Sequence, residues 1–83
     1  MTHDLKIFRR HFEAIKSGAK RCETRKNDRG FKAGCYLRLK EYHFGKLTGR
    51  EIMAYVTHVD TFAMFKSIGF DDVAVMSLEL QKL

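Results

Sequence analysis

Proline and tryptophan are absent from the 83 residues, and cysteine occurs only twice. No apolar run approaches the ~20 residues that a membrane-spanning helix needs, so no membrane partner is expected. The lack of proline, of low-complexity stretches and of repeats excludes a Pro-rich linker and a repeat array. Cys22 and Cys35 lack C-x-x-C spacing, and they are too few for a disulfide scaffold, so two reduced, packed thiols are expected. His3, His11, His43 and His58 show no H-x-x-x-H or Cys/His clustering; neither a metal nor a cofactor is indicated. The serines have no nucleophile-elbow context, and no glycine loop of phosphate-cradling length appears. The first ten residues, "MTHDLKIFRR", carry an acid and no apolar signal core, so a cytoplasmic location is expected.

What is abundant is positive charge, and it is unevenly placed. Residues 1–50 hold 14 Lys and Arg against 5 Asp and Glu, whereas residues 51–83 hold 2 against 5. Such a bipolar chain should attract a polyanion to its N-terminal half, nucleic acid first, then a nucleotide or an anionic surface. A basic chain that binds nothing is the plain alternative. The length and the 45% hydrophobic content suit one domain spanning residues 1–83.

Periodicity supplies the elements. "HDLKI" (3–7) alternates as a short strand, and from Phe8 the spacing changes to Phe8, Phe12 and Ile15, one face of a helix that Gly18 would cap. "KRCETRKN" (20–27) alternates again, then "CYLRLKEY" (35–42), with "FGKLTG" (44–49) as a hairpin connection. "REIMAYVTHVDTF" (50–62) is the longest strand candidate, "AMFKSIG" (63–69) a short second helix, and "DVAVMSLEL" (72–80) a closing strand. About five strands with one main helix after the first predict an α+β fold built on a small curled barrel.

The chemistry concentrates in "GAKRCETRKNDRGFKAG" (18–34). Strand alternation puts Arg21, Glu23, Arg25 and Asn27 on one face and Cys22 and Thr24 on the other, with Cys22 packed inward. Arginine forks match two acceptors at once, on phosphate or on a base edge. An exposed strand face of alternating charge fits the same spacing. Lys20 has the opposite parity from Glu23, and a bulged strand start would bring it back over the same mouth. His3 would neighbour the 20–25 segment if those strands pair, while His11 would sit on the exposed side of the helix. Among the aromatic residues, Tyr42 is the first candidate to stack on a base.

The spacing Gly18-x-Lys20-x-x-Glu23-x-Arg25 resembles the G-x-K-x-x-E-x-R signature of the ASCH domain family, whose fold is PUA-like. "THDLKI", "FEAIKSGAK", "ETRKNDR", "LKEY", "TGREI" and "VTHV" extend the likeness over nearly the whole chain, toward a subgroup of short bacterial and phage proteins. The resemblance implies a small PUA-like β-barrel with a cleft for RNA, a nucleotide or a modified nucleoside beside the first helix. Lys20, Glu23 and Arg25 would line that cleft, Asn27, Asp28 and Arg29 would hold its rim, and His3 and Lys6 would approach from the first strand.

Some ASCH-like proteins are amidohydrolases that deacylate N4-acetylcytidine with a lysine, a threonine nucleophile and a distal glutamate. Here Lys20 matches the lysine, Glu23 stands at the threonine position, and the segment carrying the distal glutamate has no counterpart. The resemblance therefore leaves a variant chemistry, with Glu23 as general base for water and Lys20 polarising the carbonyl. Three functions are expected in turn: binding of a nucleobase, nucleotide or RNA element; deacylation of such nucleosides; or a phage-derived module that binds a protein partner.

Overall fold

The computed structural model describes residues 1–62 and 72–81. Among these residues five strands and one helix follow in the order β1 (Thr2–Phe8), α1 (Arg9–Lys16), β2 (Cys22–Lys26), β3 (Tyr36–His43), β4 (Lys46–Thr61) and β5 (Val73–Leu80). They form a curled half-barrel, one sheet of strand order β1-β3-β4-β5-β2, in which β1 runs parallel to β3 and the other neighbours are antiparallel. The expected short helix at 63–69 lies outside the described residues. Among the described residues, no helix is long and apolar enough to cross a membrane.

Alternation explains the curl. Inward positions are Leu5 and Ile7 on β1, Leu37 and Leu39 on β3, Ala54 and Val56 on β4, and Ala74, Met76 and Leu78 on β5, all buried. Helix α1 adds Phe12 and Ile15, three residues apart on its inner stripe. Strand β4 serves two neighbours: its first part pairs with β3 and its second with β5, and a register shift between Val56 and His58 lets it bend between them.

Two expectations are corrected here. Phe8 does not join the helical stripe; it ends β1 as the residue before α1, and its side chain is exposed. The connection between β3 and β4 is only Phe44–Gly45, because Lys46–Gly49 already belongs to β4. Gly18 does end α1, at φ +86°, with its N–H bonded to the Ile15 carbonyl at 3.1 Å.

Candidate functional site

Strands β1 and β2 are the two edges of the sheet, and the curl brings them face to face. The Tyr36 N–H bonds to the Met1 carbonyl, which assigns the odd-numbered residues of β1 to the β3 ladder. The carbonyls of Asp4 and Lys6 therefore point the other way, toward β2, and guanidinium groups rather than a strand take them. Arg25 Nη2 donates to the Lys6 carbonyl at 2.6 Å, and Arg29 Nη1 to the Asp4 carbonyl at 2.7 Å. On the opposite edge, bonds from Leu78 N–H to Arg21 O and from Asn27 N–H to Asp72 O commit odd-numbered residues to β5, leaving the Thr24 backbone facing the seam.

At the C-terminal end of β1 the seam widens into a cleft of about 640 Å³. Its walls are Lys6, Ile7 and Phe8 from β1, His11 from α1, Lys20, Glu23, Thr24 and Arg25 around β2, and Tyr42 from β3. Glu23 lies opposite Met76 on β5, so it points inward, and only 5% of it is exposed. Arg25 donates to Glu23 Oε2 twice, from Nε at 3.0 Å and from Nη2 at 2.9 Å. Lys20 Nζ stands 3.6 Å from Oε1, close enough for ion pairing and too far for a hydrogen bond. Among the described residues Oε1 thus accepts no hydrogen bond.

Lys20 reaches this position because it precedes β2 and escapes the strand's parity. Its N–H bonds to the Ala14 carbonyl at 3.0 Å, which ties it to the end of α1. Its ammonium donates to His11 Nδ1 at 3.1 Å. An ammonium only donates, so Nδ1 accepts and the ring hydrogen sits on Nε2; Arg10 Nε, 3.4 Å from that Nε2, is then a contact and not a hydrogen bond. On the other wall, Lys6 Nζ lies 5.4 Å from the Tyr42 ring centroid, and the Phe8 ring lies 6.2 Å from it.

Of the residues singled out in the sequence, Lys6, Lys20, Glu23, Arg25 and Tyr42 share this cleft. His3 does not: β1 pairs with β3 and not with the 20–25 segment, and the His3 ring is buried edge-on against Phe31 at 4.9 Å. Asn27 bonds to Asp72 Oδ2 at 3.0 Å, away from the cleft, and Arg29 is spent on the seam. Cys22 is exposed rather than packed inward, since the inward face of β2 carries Glu23 and Arg25; both cysteines are free thiols. His11 is half-buried and lines the cleft, contrary to the exposed position expected for it. No local pattern announces this, because its role depends on where Lys20 returns.

A second carboxylate went unnoticed in the sequence. Glu41 continues the inward parity of Leu37 and Leu39 at a register shift of β3, and it is fully buried. Arg50 Nε and Thr48 Oγ1 donate to its Oε1 at 3.0 and 2.6 Å, and Arg9 Nε to its Oε2 at 3.2 Å. Arg50 Nη2 also reaches both Glu41 Oε2 and Glu13, and the guanidinium lies 4.7 Å from the Phe12 ring centroid. These hydrogen bonds, Arg50's above all, hold the Glu41 carboxyl down at about 2 against the opposing effect of burial. The Arg50 pKa is pushed up in return. The cluster clamps α1 to β3 and β4. Among the described residues no group of three or more His, Cys, Asp or Glu is placed to hold a metal ion.

Comparisons place this architecture among other proteins. Its fold is similar to the crystal structure of the hypothetical protein PH0355, with a TM-score of 0.70 over 98% of this chain and 100% of that one, at 16% identity. In sequence it is 39% identical, over 57 residues, to the "Uncharacterized 12.9 kDa protein in GpA 3'region" of Escherichia phage P2. That match takes in 69% of this chain and 52% of the phage protein, so the chain spans about half the length of this relative. Residues 2–78 match the family described as "Domain of unknown function (DUF3850)", and the chain belongs to that family.

Proposed function

We propose that this chain is a PUA-like domain of ASCH type that binds a nucleobase, as part of a nucleotide or an RNA element, in the cleft at the β1–β2 seam. One observation carries the reading: Lys20 and Arg25 flank a buried carboxylate whose Oε1 accepts no hydrogen bond among the described residues, and Lys6 and Tyr42 line the same cleft. The open oxygen suits an amino or imino N–H of a base, and the cations suit a ring carbonyl or a phosphate. About 640 Å³ is within the ~300–1,000 Å³ of small-molecule sites. Unpaired RNA exposes the base edges that such a cleft would read, so single-stranded or looped RNA is the preferred form. The test is binding of single-stranded RNA and of nucleoside monophosphates by anisotropy and calorimetry across a salt series. Affinity should fall as salt rises, and Glu23→Gln should weaken it. Unchanged binding in that variant would remove the site from the reading.

A second reading uses the same pair chemically. Glu23 Oε1 accepts no hydrogen bond among the described residues, and Lys20 stands 3.6 Å away. A water that gives its proton to the carboxylate would therefore attack an acyl carbonyl polarised by the ammonium. Glu23 would pass that proton to the N4 nitrogen as the acyl C–N bond breaks, releasing the carboxylic acid and the free amine. Incubation with N4-acyl cytidines, beside Lys20→Ala and Glu23→Gln, decides it: turnover abolished by both substitutions makes the chain an amidohydrolase, and no turnover leaves binding alone.

A further inference from the structure

The β3–β4 hairpin turns in two residues, Phe44 and Gly45, with φ of 51° and 77°. Positive φ at both central positions is what a type I′ turn requires, and Asn, Asp or Gly meets it with least strain at the first. A phenylalanine there is strained, and with 90% of it exposed no burial offsets the strain. Its one ring contact among the described residues is the neighbouring His43, 4.1 Å away. Folding alone gives no reason for an aromatic ring at this position.

The surroundings give one. Register sets Phe8, Tyr42 and Leu47 side by side across β1, β3 and β4, with Phe8 62% and Leu47 48% exposed. This apolar row begins at the wall of the cleft and crosses to β4, with the His43–Lys46 pair between it and the hairpin turn. Lys6 lies over Tyr42, and Lys46, opposite His43 in the hairpin register, is exposed and makes no ion pair among the described residues. Flat rings interleaved with ammonium groups complement a single nucleic-acid strand, bases on the rings and phosphates on the cations. A predominantly apolar protein partner would leave those ammonium groups without counter-charges.

We propose that the base adjoining the one held in the cleft stacks on Phe44, so that the ligand is a short single strand crossing Tyr42 to the hairpin tip and not a free nucleotide. This rests on the nucleobase reading above, and the experiment separates the two. Fluorescein-labelled single-stranded RNA pentamers of each base are titrated beside nucleoside monophosphates, with wild-type protein, Phe44→Asn and Phe44→Tyr. The pentamer should bind at least about tenfold tighter than the monophosphate, and Phe44→Asn should lose about tenfold for the pentamer only. Phe44→Asn should melt no lower than wild type, since asparagine accepts the turn, and Phe44→Tyr should keep wild-type affinity. Equal binding of pentamer and monophosphate, or an unaltered pentamer affinity in Phe44→Asn, overturns the inference and leaves the nucleobase reading standing. If neither ligand binds, both fall. Self-association that Phe44→Asn abolishes, without RNA binding, would assign the row to a second copy of this chain and overturn the inference too.

Discussion

Among the described residues two carboxylates are buried, and arginine meets both, yet they are finished differently. Glu41 receives donors on both oxygens from Arg50, Thr48 and Arg9. Glu23 has both Arg25 bonds on Oε2 and leaves Oε1 facing a cleft, with Lys20 just out of hydrogen-bonding range. A saturated carboxylate has no lone pair left for a guest and acts as a rivet. An unsaturated one beside solvent keeps a vacancy for a donor. The count of donors against lone pairs, rather than burial or the presence of arginine, separates the structural cluster from the proposed binding site.

Removing the rivet should give the largest effect. Arg50→Met would leave Glu41 buried without its main partner, and breaking one side of a buried pair is strongly destabilising. A fall in melting temperature on the order of 10 °C or more is expected by calorimetry. A fall of a degree or two would show that the cluster is decorative. Glu23→Gln should lower the melting temperature by less than Arg50→Met, since the Arg25 it leaves without a counter-charge is part-exposed and keeps the Lys6 carbonyl. It should lower affinity for the proposed nucleobase about tenfold to a hundredfold, the usual loss for a hydrogen bond to a charged group. Comparable destabilisation by the two substitutions would erase the distinction.

Acid should also separate the sites. The Glu41 carboxyl sits at about 2 in the folded chain against an ordinary value of 4.5, so on unfolding it binds a proton at any pH between those values. Its contribution to stability is therefore complete above about pH 5 and is lost as pH falls from about 4.5 toward 2. The unfolding free energy from urea melts should fall with pH over that range in wild type and fall less in Glu41→Gln. The smallest effect expected is for Thr48→Val, which removes one of the four donors and should lower the melting temperature by only about 4–8 °C.

Much of this was legible in the sequence, and the failures have a common cause. Alternation in 20–27 put Glu23 and Arg25 on one face, and the run from Phe12 to Ile15 showed the buried stripe of α1. Parity alone does not say which face is inside, which is why Cys22 was placed inward although Glu23 lies there. Nor does parity name partners: "LKEY" and "TGREI" each held half of the Glu41–Arg50 pair, nine residues apart, with a hairpin between them to be folded first. His11 and Lys20 meet because Lys20, tied by its N–H to the Ala14 carbonyl, lays its side chain back along α1 to the first turn, a geometry no periodicity records. The fold is local pattern repeated; the cleft is made where distant edges meet.

The seam itself has a mechanical corollary. Where β1 faces β2, two arginine side chains stand in for the rungs of a ladder. Parting those edges would sever a pair of latches without unthreading any strand from its neighbour. An anion that drew both Arg25 and Arg29 away would thus unfasten the half-barrel along one line.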